Sequence, residues 1–434
     1  MKKRKYLLWA VVILIVAGLF CIIYGQNKKV VLEVGIFSDS NWDVPNANAY
    51  VVMDRVIEKF EEEHPGVEVH YESGIRKKDY SEWLSRKAMR GELPDVFFVP
   101  SEDFYTYSTM GILKELDTRV DSDKNFREEY FFKTGIEAGK YHDIQYALPY
   151  EMVPNLMFVN RTLLEKEGFS VPATDWTWDD MEEICRAVTK DTDGDGVIDQ
   201  FGTYNYGWKE AAYANDAKLF DVDGKKAYLS DKKMIDAVKF TKRLNNLNQK
   251  RKVTQKDFEA GKVAFMPLSF SEYRMYKTYP YKIKKYSGFR WDCTTMPAGP
   301  RGDNISEVNT LLVGMNEHTR HEELSWEFMK LLTFDTEVQR NIFQYSQGAS
   351  SLKYITGSKY AESIIRRDMD ANEKVIDCKL LESVIENGKT VRKFSGYDSA
   401  MLYAESGIEE IYENGKNVES SIKILQRDIA DFMK

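Results

Sequence analysis

The chain has 434 residues, a length that suits two or three folding units of ~150 residues each. Apolar residues make up 43% and charged residues 30%, which marks a globular chain and excludes a disordered one. With 61 basic and 69 acidic residues the net charge is −8, which argues against the basic face that a nucleic-acid binder needs. Four cysteines, Cys21, Cys185, Cys293 and Cys378, are too few and too scattered for a disulfide framework or a zinc site. Aromatic residues, at 13%, supply Tyr and Trp rings that serve binding surfaces as well as cores.

The charge is unevenly spread. Residues 1–29 hold Lys2, Lys3, Arg4, Lys5, Lys28 and Lys29 and no acid, so the remainder carries 55 basic against 69 acidic residues, a net −14. Between the two basic clusters, Tyr6 to Tyr24 is uncharged. A helix of that length spans ~28 Å, close to the hydrocarbon thickness of a bilayer. Ile23 before the best cleavage point and Phe20 before Cys21 fit a cleaved or lipid-modified signal poorly, so an uncleaved anchor over residues 1–29 is favoured. The excess of leading cations orients its N-terminus inside and the body of the protein outside the cytoplasm.

Beyond a short polar linker, Val30 to Phe37 reads as a buried strand. Met53, Val56, Ile57 and Phe60 recur at helical spacing, and Pro65-Gly66 ends that helix. Val67, Val69 and Tyr71 alternate as a strand; Tyr80, Trp83, Leu84 and Ala88 mark a second helix; Asp95 to Val99 reads as a third strand. Strand and helix in alternation predict an α/β sheet with mostly parallel strands. Gln145 to Val159 reads as extended around Pro149 and Pro154. Helical patterns follow at Trp178–Val188, Met234–Leu247 and Leu324–Leu332, with a short strand at Lys262–Pro267 and a turn-rich stretch at Met296–Gly302. Val418, Ile422, Leu425, Ile429 and Phe432 form the apolar stripe of a last helix, read as core packing.

Asp191, Asp193, Asp195, Val197 and Asp199 repeat at the alternate spacing of a hard-cation loop, with Gly196 for the tight turn. The twelfth position, which would close such a loop with a bidentate Glu, is Gly202. The alternatives are a structural Ca2+ site and an acidic turn without metal. Enzyme signals are weak: there is no Gly-x-Ser-x-Gly, no phosphate-cradling loop, no His-Glu-x-x-His, and all five His are scattered. Aromatic and polar residues do recur together at positions read as loops: Trp42, Ser101 to Tyr105, Tyr150-Glu151, Tyr204 to Trp208, and Phe270 to Tyr273. Aromatic rings stack on the C–H faces of sugars while Asp, Glu and Asn take the hydroxyls.

Phe60 to Val69, Pro94-Asp95-Val96, Tyr146 to Glu151, Asp191 to Gly202, Phe258 to Met266 and Met296 to Pro300 stand in an order and spacing that resembles a known family. It is that of the extracellular solute-binding proteins of carbohydrate ABC importers, the maltose-binding protein relatives. The resemblance covers nearly all of residues 30–434. It implies a two-lobed, periplasmic-binding-protein-like α/β fold with interleaved chain crossings and a ligand cleft between the lobes. Lobe 1 is then 30–150 plus 305–333, and lobe 2 is 151–304 plus 334–434. The family's ligand contacts fall on Asn41, Trp42, Ser101, Glu102, Tyr105, Tyr150, Glu151, Tyr206, Trp208, Ser271, Tyr273 and Tyr397. Many sugar-binding relatives carry a Trp near the position of Phe270–Tyr273, which this chain lacks. The resemblance implies a non-enzymatic, monomeric receptor that needs no cofactor, with a carbohydrate and the importer's permease subunits as partners. The rival readings are a receptor for a membrane sensor kinase and an anchored polysaccharide hydrolase with a carboxylate pair.

Overall fold

The apolar alternation of the first hundred residues becomes the edge of a single sheet. Val30–Gly35 (β1) pairs in parallel with both Val67–Tyr71 (β2) and Val96–Val99 (β3). The computed structural model describes residues 29–277, 288–367 and 374–433, apart from Asp43, Pro45, Ala47 and Ala49. Val52, Met53, Val56 and Phe60 share one face of the helix Val51–Glu63 and are buried there, which is why that segment folds as a helix. The helix Lys77–Arg90 buries Tyr80, Trp83 and Leu84, and Gly91 stops it at φ 67, a left-handed conformation that glycine adopts without Cβ strain. The buried Tyr80 hydroxyl donates to the Gly35 carbonyl at 2.8 Å, with the Phe98 carbonyl 3.1 Å away, and so ties the ends of β1 and β3 together.

A short hairpin of Lys140–Tyr141 (β4) and Ile144–Gln145 (β5) leads into Ala147–Asn160 (β6), a 14-residue strand. The remaining strands are Phe201–Thr203 (β7), Val263–Ser269 (β8), Trp291–Thr294 (β9), Val308–Met315 (β10) and Ala349–Ser350 (β11). The sheet runs β2-β1-β3-β10-β6-β8-β7, with β9 and β11 also paired to β6. The first half of β6, Ala147 to Pro154, lies antiparallel to β10, and its second half, Asn155 to Asn160, pairs with β8 and β9. Pro149 cannot donate to the ladder, and β10 accommodates it with a register shift between Leu311 and Leu312.

Two cores flank this strand. The first gathers Leu32, Phe60, Phe97, Phe131, Trp326 and Ile385. The second gathers Met181, Trp208, Phe240, Ala404, Ile422 and Ile429, from helices that include Trp178–Val188, Lys232–Leu247 and Tyr397–Glu413. The expected lobe boundary at residues 333–334 does not match this packing. The helix Thr336–Tyr345 and the helices that follow it to Glu386 supply Val338, Ile342, Phe343, Leu381 and Ile385 to the first core, and the chain reaches the second only at Phe394. The cause is β11, whose pairing with Met152 and Glu151 of β6 pins this stretch to the first half of the strand. The first core also takes in Leu156, Phe158, Phe201, Val263, Phe270 and Tyr273, so the two cores meet along the second half of the sheet, and β6, the stretch from Met296 to Val308 and the stretch from Glu386 to Phe394 join them. The membrane anchor expected over residues 1–29 lies, but for Lys29, outside the described residues.

Asp123 fastens the helix Glu322–Phe334 to the first core. It accepts from Trp326 Nε1 at 2.9 Å and Lys330 Nζ at 2.6 Å. Burial acts to raise its pKa, but Lys330 and Trp326 outweigh that and hold it at about 2. The contact therefore stabilises the fold fully above the unfolded value of ~3.9 and is lost as pH falls through about 2. Asp123→Asn is expected to lower stability by roughly 1–2 kcal/mol at neutral pH. Urea unfolding of both proteins should show the difference constant from pH 7 to ~5 and shrinking below pH ~4.

Candidate functional site

The carboxyl ends of β1, β2 and β3 converge on one mouth, the place where open α/β sheets hold ligands. Ser38 N donates to the Ile75 carbonyl at 2.7 Å, and Asp39 Oδ1 accepts from Lys77 N at 2.6 Å. Ser101 to Tyr105, expected as a loop, opens the helix Ser101–Thr109. Glu102 and Asp103 stand in its first turn, where the helix dipole favours acids. Burial acts to raise the pKa of Glu102, but its ion pair with Lys77 prevails and lowers it. Burial raises that of Asp103, although the Ser81 hydroxyl donates to its carboxylate.

Beyond this mouth lies a narrow cleft with about 20 Å³ open to water, lined by Ser101, Tyr105, Tyr141, Val222, Thr310 and Arg392 among others. Tyr105 meets Tyr141 edge to face at 5.5 Å. The Tyr141 hydroxyl donates to Asp223 Oδ1 at 2.8 Å, and His142 Nε2 lies 3.3 Å from the same oxygen. These contacts join the hairpin of the first half to a loop carried by the second core. The third crossing also spans the cleft. Thr390 Oγ1 donates to the Thr134 carbonyl at 2.9 Å, Arg392 pairs with Glu137 at 3.3 Å, and Lys389 Nζ donates to the Ala217 carbonyl at 2.8 Å.

Unspent polar groups mark the cleft and its surroundings. Thr310 Oγ1 is buried without a hydrogen-bond partner among the described residues. So is Ser306 Oγ, which borders a smaller adjoining cavity with Tyr213, Glu210 and Glu307. Burial raises the pKa of Glu210, while Glu307 is paired with Lys209 at 2.7 Å. A buried hydroxyl without a partner costs free energy that a ligand or water restores.

The residues expected at the ligand separate into groups. Ser101 and Tyr105 line the cleft, Glu102 stands at its mouth, and Tyr397 borders a neighbouring cavity with Tyr213, Lys389 and Arg392. Glu151 is instead buried between elements: it accepts from Ser346 Oγ at 2.6 Å and from Gly348 N, beside Trp42 and the Arg274 guanidinium. Burial pushes its pKa up against those partners. Tyr150 packs on Phe98 with ring centroids 4.8 Å apart, and Asn41 Oδ1 is buried without a partner among the described residues. Tyr206 and Trp208 are buried in the second core at the start of the helix Trp208–Ala214. Ser271 and Tyr273 are buried in the first turn of the helix Phe270–Lys277, where the Tyr273 hydroxyl accepts from Ile376 N at 3.3 Å. Lys140, Tyr141, Thr310, Arg392 and Asp223 escaped the sequence reading. The one local signal was Asn387-Gly388 ahead of the cation-rich run Lys389 to Lys393.

The acidic loop folds as a set of turns. Asp191 accepts from Gly194 N and Gly196 N at 2.7 Å each, and Asp195 Oδ1 accepts from Val197 N at 2.8 Å. Carboxylate oxygens of Asp191, Asp193 and Asp195 lie within 4.8 Å of one another, close enough to share a cation. Asp199 is engaged elsewhere, by Thr192 and by Lys262 Nζ at 2.9 Å, and Lys262 holds its pKa at about 2.

Residues 55–362 match the family described as bacterial extracellular solute-binding proteins. The fold is similar to that of a cyclic α-maltosyl-1,6-maltose binding protein from Arthrobacter globiformis, with a TM-score of 0.75 and 13% identity over 94% of this chain and 99% of that one. It is similar to the sugar-binding protein MalE of Xanthomonas citri, with a TM-score of 0.74 and 16% identity over 93% and 97% of the two chains. An ABC substrate-binding protein of Listeria monocytogenes, solved in complex with cycloalternan, gives a TM-score of 0.67 and 16% identity over 93% and 99%. The architecture is thus the two-lobed one of MalE-like binding proteins.

Proposed function

The chain belongs to the bacterial extracellular solute-binding proteins, and we propose that it captures a carbohydrate in the cleft and delivers it to an ABC importer by hinge closure. The observation that carries this reading is the cleft itself, walled by elements from both cores and bordered by buried, unpartnered hydroxyls. The sugars named for the similar structures support the choice of ligand class. Tyr105 and Tyr141 offer aromatic faces to a ring, and Ser101, Asn309, Thr310 and Thr390 offer polar groups to its hydroxyls.

Closure follows from the three crossings. A hinge of a few segments lets the halves rotate, and a ligand favours the closed form only by contacts it gains there. Tyr141 to Asp223 is such a contact between the walls, formed when they meet. The protein acts as a binding protein, not an enzyme, so the sugar leaves unchanged. Residues 1–29 anchor a monomer at the outer face of the membrane, where the importer's permease subunits receive the closed form. Among the described residues no helix is long and apolar enough to span a bilayer, so this anchoring rests on the sequence of residues 1–29. No cofactor is needed for capture; Asp191, Asp193 and Asp195 form a structural Ca2+ site with the Val197 carbonyl, and the role is stability.

Two measurements test these readings. Purified full-length chain, screened by thermal shift against mono- and oligosaccharides, is expected to show a saturable rise in Tm with no product released; turnover of a glycan would contradict the reading. Ca2+ is expected to raise the Tm of the wild type, and EDTA to reverse the rise. The double variant Asp193→Ala, Asp195→Ala should respond to neither, and an EDTA-insensitive wild type would rule out a tight structural Ca2+.

A further inference from the structure

The lining of the cleft is cationic. Lys140, Arg392 and Lys393 all contribute to it, and among the described residues no carboxylate does. The acids nearest to it are already engaged. Glu102 is paired with Lys77, Asp103 accepts from Ser81, Glu137 faces Arg392 at 3.3 Å and Lys140 at 3.7 Å, and Asp223 accepts from Tyr141. Glu151, the other carboxylate expected to meet a ligand, is enclosed by Ser346, Gly348 and Arg274. Lys393 makes no salt bridge among the described residues, and its charge acts on Glu102 and Asp103 across the mouth.

This arrangement is the reverse of what a neutral sugar asks for. A sugar hydroxyl both donates and accepts, so a site for a neutral sugar needs acceptors, which carboxylates supply well. Lysine and arginine side chains only donate. A wall of charged donors is complementary to a group that only accepts, a carboxylate or a sulfate, and charge assistance makes such bonds about twice as strong as neutral ones. Thr310 Oγ1, Tyr141 and Ser101 then remain for the uncharged parts of the ligand.

We propose that the ligand is an anionic saccharide, carrying a carboxylate or a sulfate ester held at Lys393, with Arg392 and Lys140, which pair with Glu137, beside it. The inference rests on the carbohydrate reading above and narrows it. Titration calorimetry on the full-length chain tests it with three probes: trigalacturonate for the carboxylate, a sulfated chondroitin disaccharide for the sulfate ester, and maltotriose as the neutral control. One of the anionic probes is expected to bind at least tenfold more tightly than maltotriose, with an affinity that falls as salt rises. Lys393→Ala is expected to weaken that probe by about tenfold. Lys393 is partly exposed and makes no salt bridge among the described residues, so the variant should fold, and an unchanged Tm without ligand checks this. Lys393→Arg should restore most of the loss. Maltotriose binding as tightly as either anionic probe would overturn this inference and leave the carbohydrate reading standing. An anionic probe that binds equally well to the Lys393→Ala variant would also overturn it. Binding of no saccharide of either kind would overturn the carbohydrate reading itself.

Discussion

One strand holds the molecule together. Ala147–Asn160 pairs with β10 along its first half and with β8 and β9 along its second, so one continuous backbone belongs to both halves of the sheet. Its residues are buried along almost the whole length: those of the first half lie in the first core, while in the second half Leu156 and Phe158 face the first core and Met157 and Val159 the second. The halves are joined through the middle of β6 and at two other crossings, near Ser306 and Lys389. Those crossings lie side by side, since Val308 N donates to the Lys389 carbonyl and Lys389 N to the Ser306 carbonyl. Gly388 is required there, because a Cβ at that position would stand 2.2 Å from Val308 Cγ2. Three segments of chain are thus packed closely where the halves join.

The cleft inherits its chemistry from that arrangement. The third crossing brings Thr390, Arg392 and Lys393 between the walls, and the hairpin before β6 brings Lys140 and Tyr141. The side chains that line the cleft therefore come from segments far apart in sequence. Some groups that the resemblance places at the ligand are buried in the frame. Glu151 is the clearest case: it lies on the central strand, and its carboxylate fixes the Ser346–Gly348 turn and balances the Arg274 charge. Removing a buried partner of this kind typically costs several kcal/mol, because the remaining charge is left unpaired.

Much of the frame was legible in the residues. Alternation in Val67–Tyr71, helical spacing in Met53–Phe60 and the breaker Gly91 each specify local structure through burial on one face, and those elements form where the pattern places them. The ordered resemblance carried the two-lobed architecture. What was not legible depends on distant partners. Tyr204 to Trp208 and Phe270 to Tyr273 are aromatic-polar runs that look alike whether they form a binding loop or the first turn of a buried helix. Only the surrounding core, Phe240 for Tyr206 and Phe158 for Tyr273, decides between the two. The stretch after Thr333, expected in the second lobe, carries ordinary amphipathic helices that supply Val338, Ile342 and Leu381 to the first core. Its two-residue pairing with β6 at Ala349-Ser350 leaves no signature in sequence. The cationic run at Lys389 to Lys393 was visible, but nothing local tells that it spans a cleft.

The central claim is that the two halves close on a sugar about the three crossings. Small-angle X-ray scattering of the full-length chain, free and saturated with a saccharide that binds it, measures this most directly. The account predicts a smaller radius of gyration in the bound state, with the same mass. A saturated protein whose radius of gyration and scattering profile match those of the free protein would contradict it.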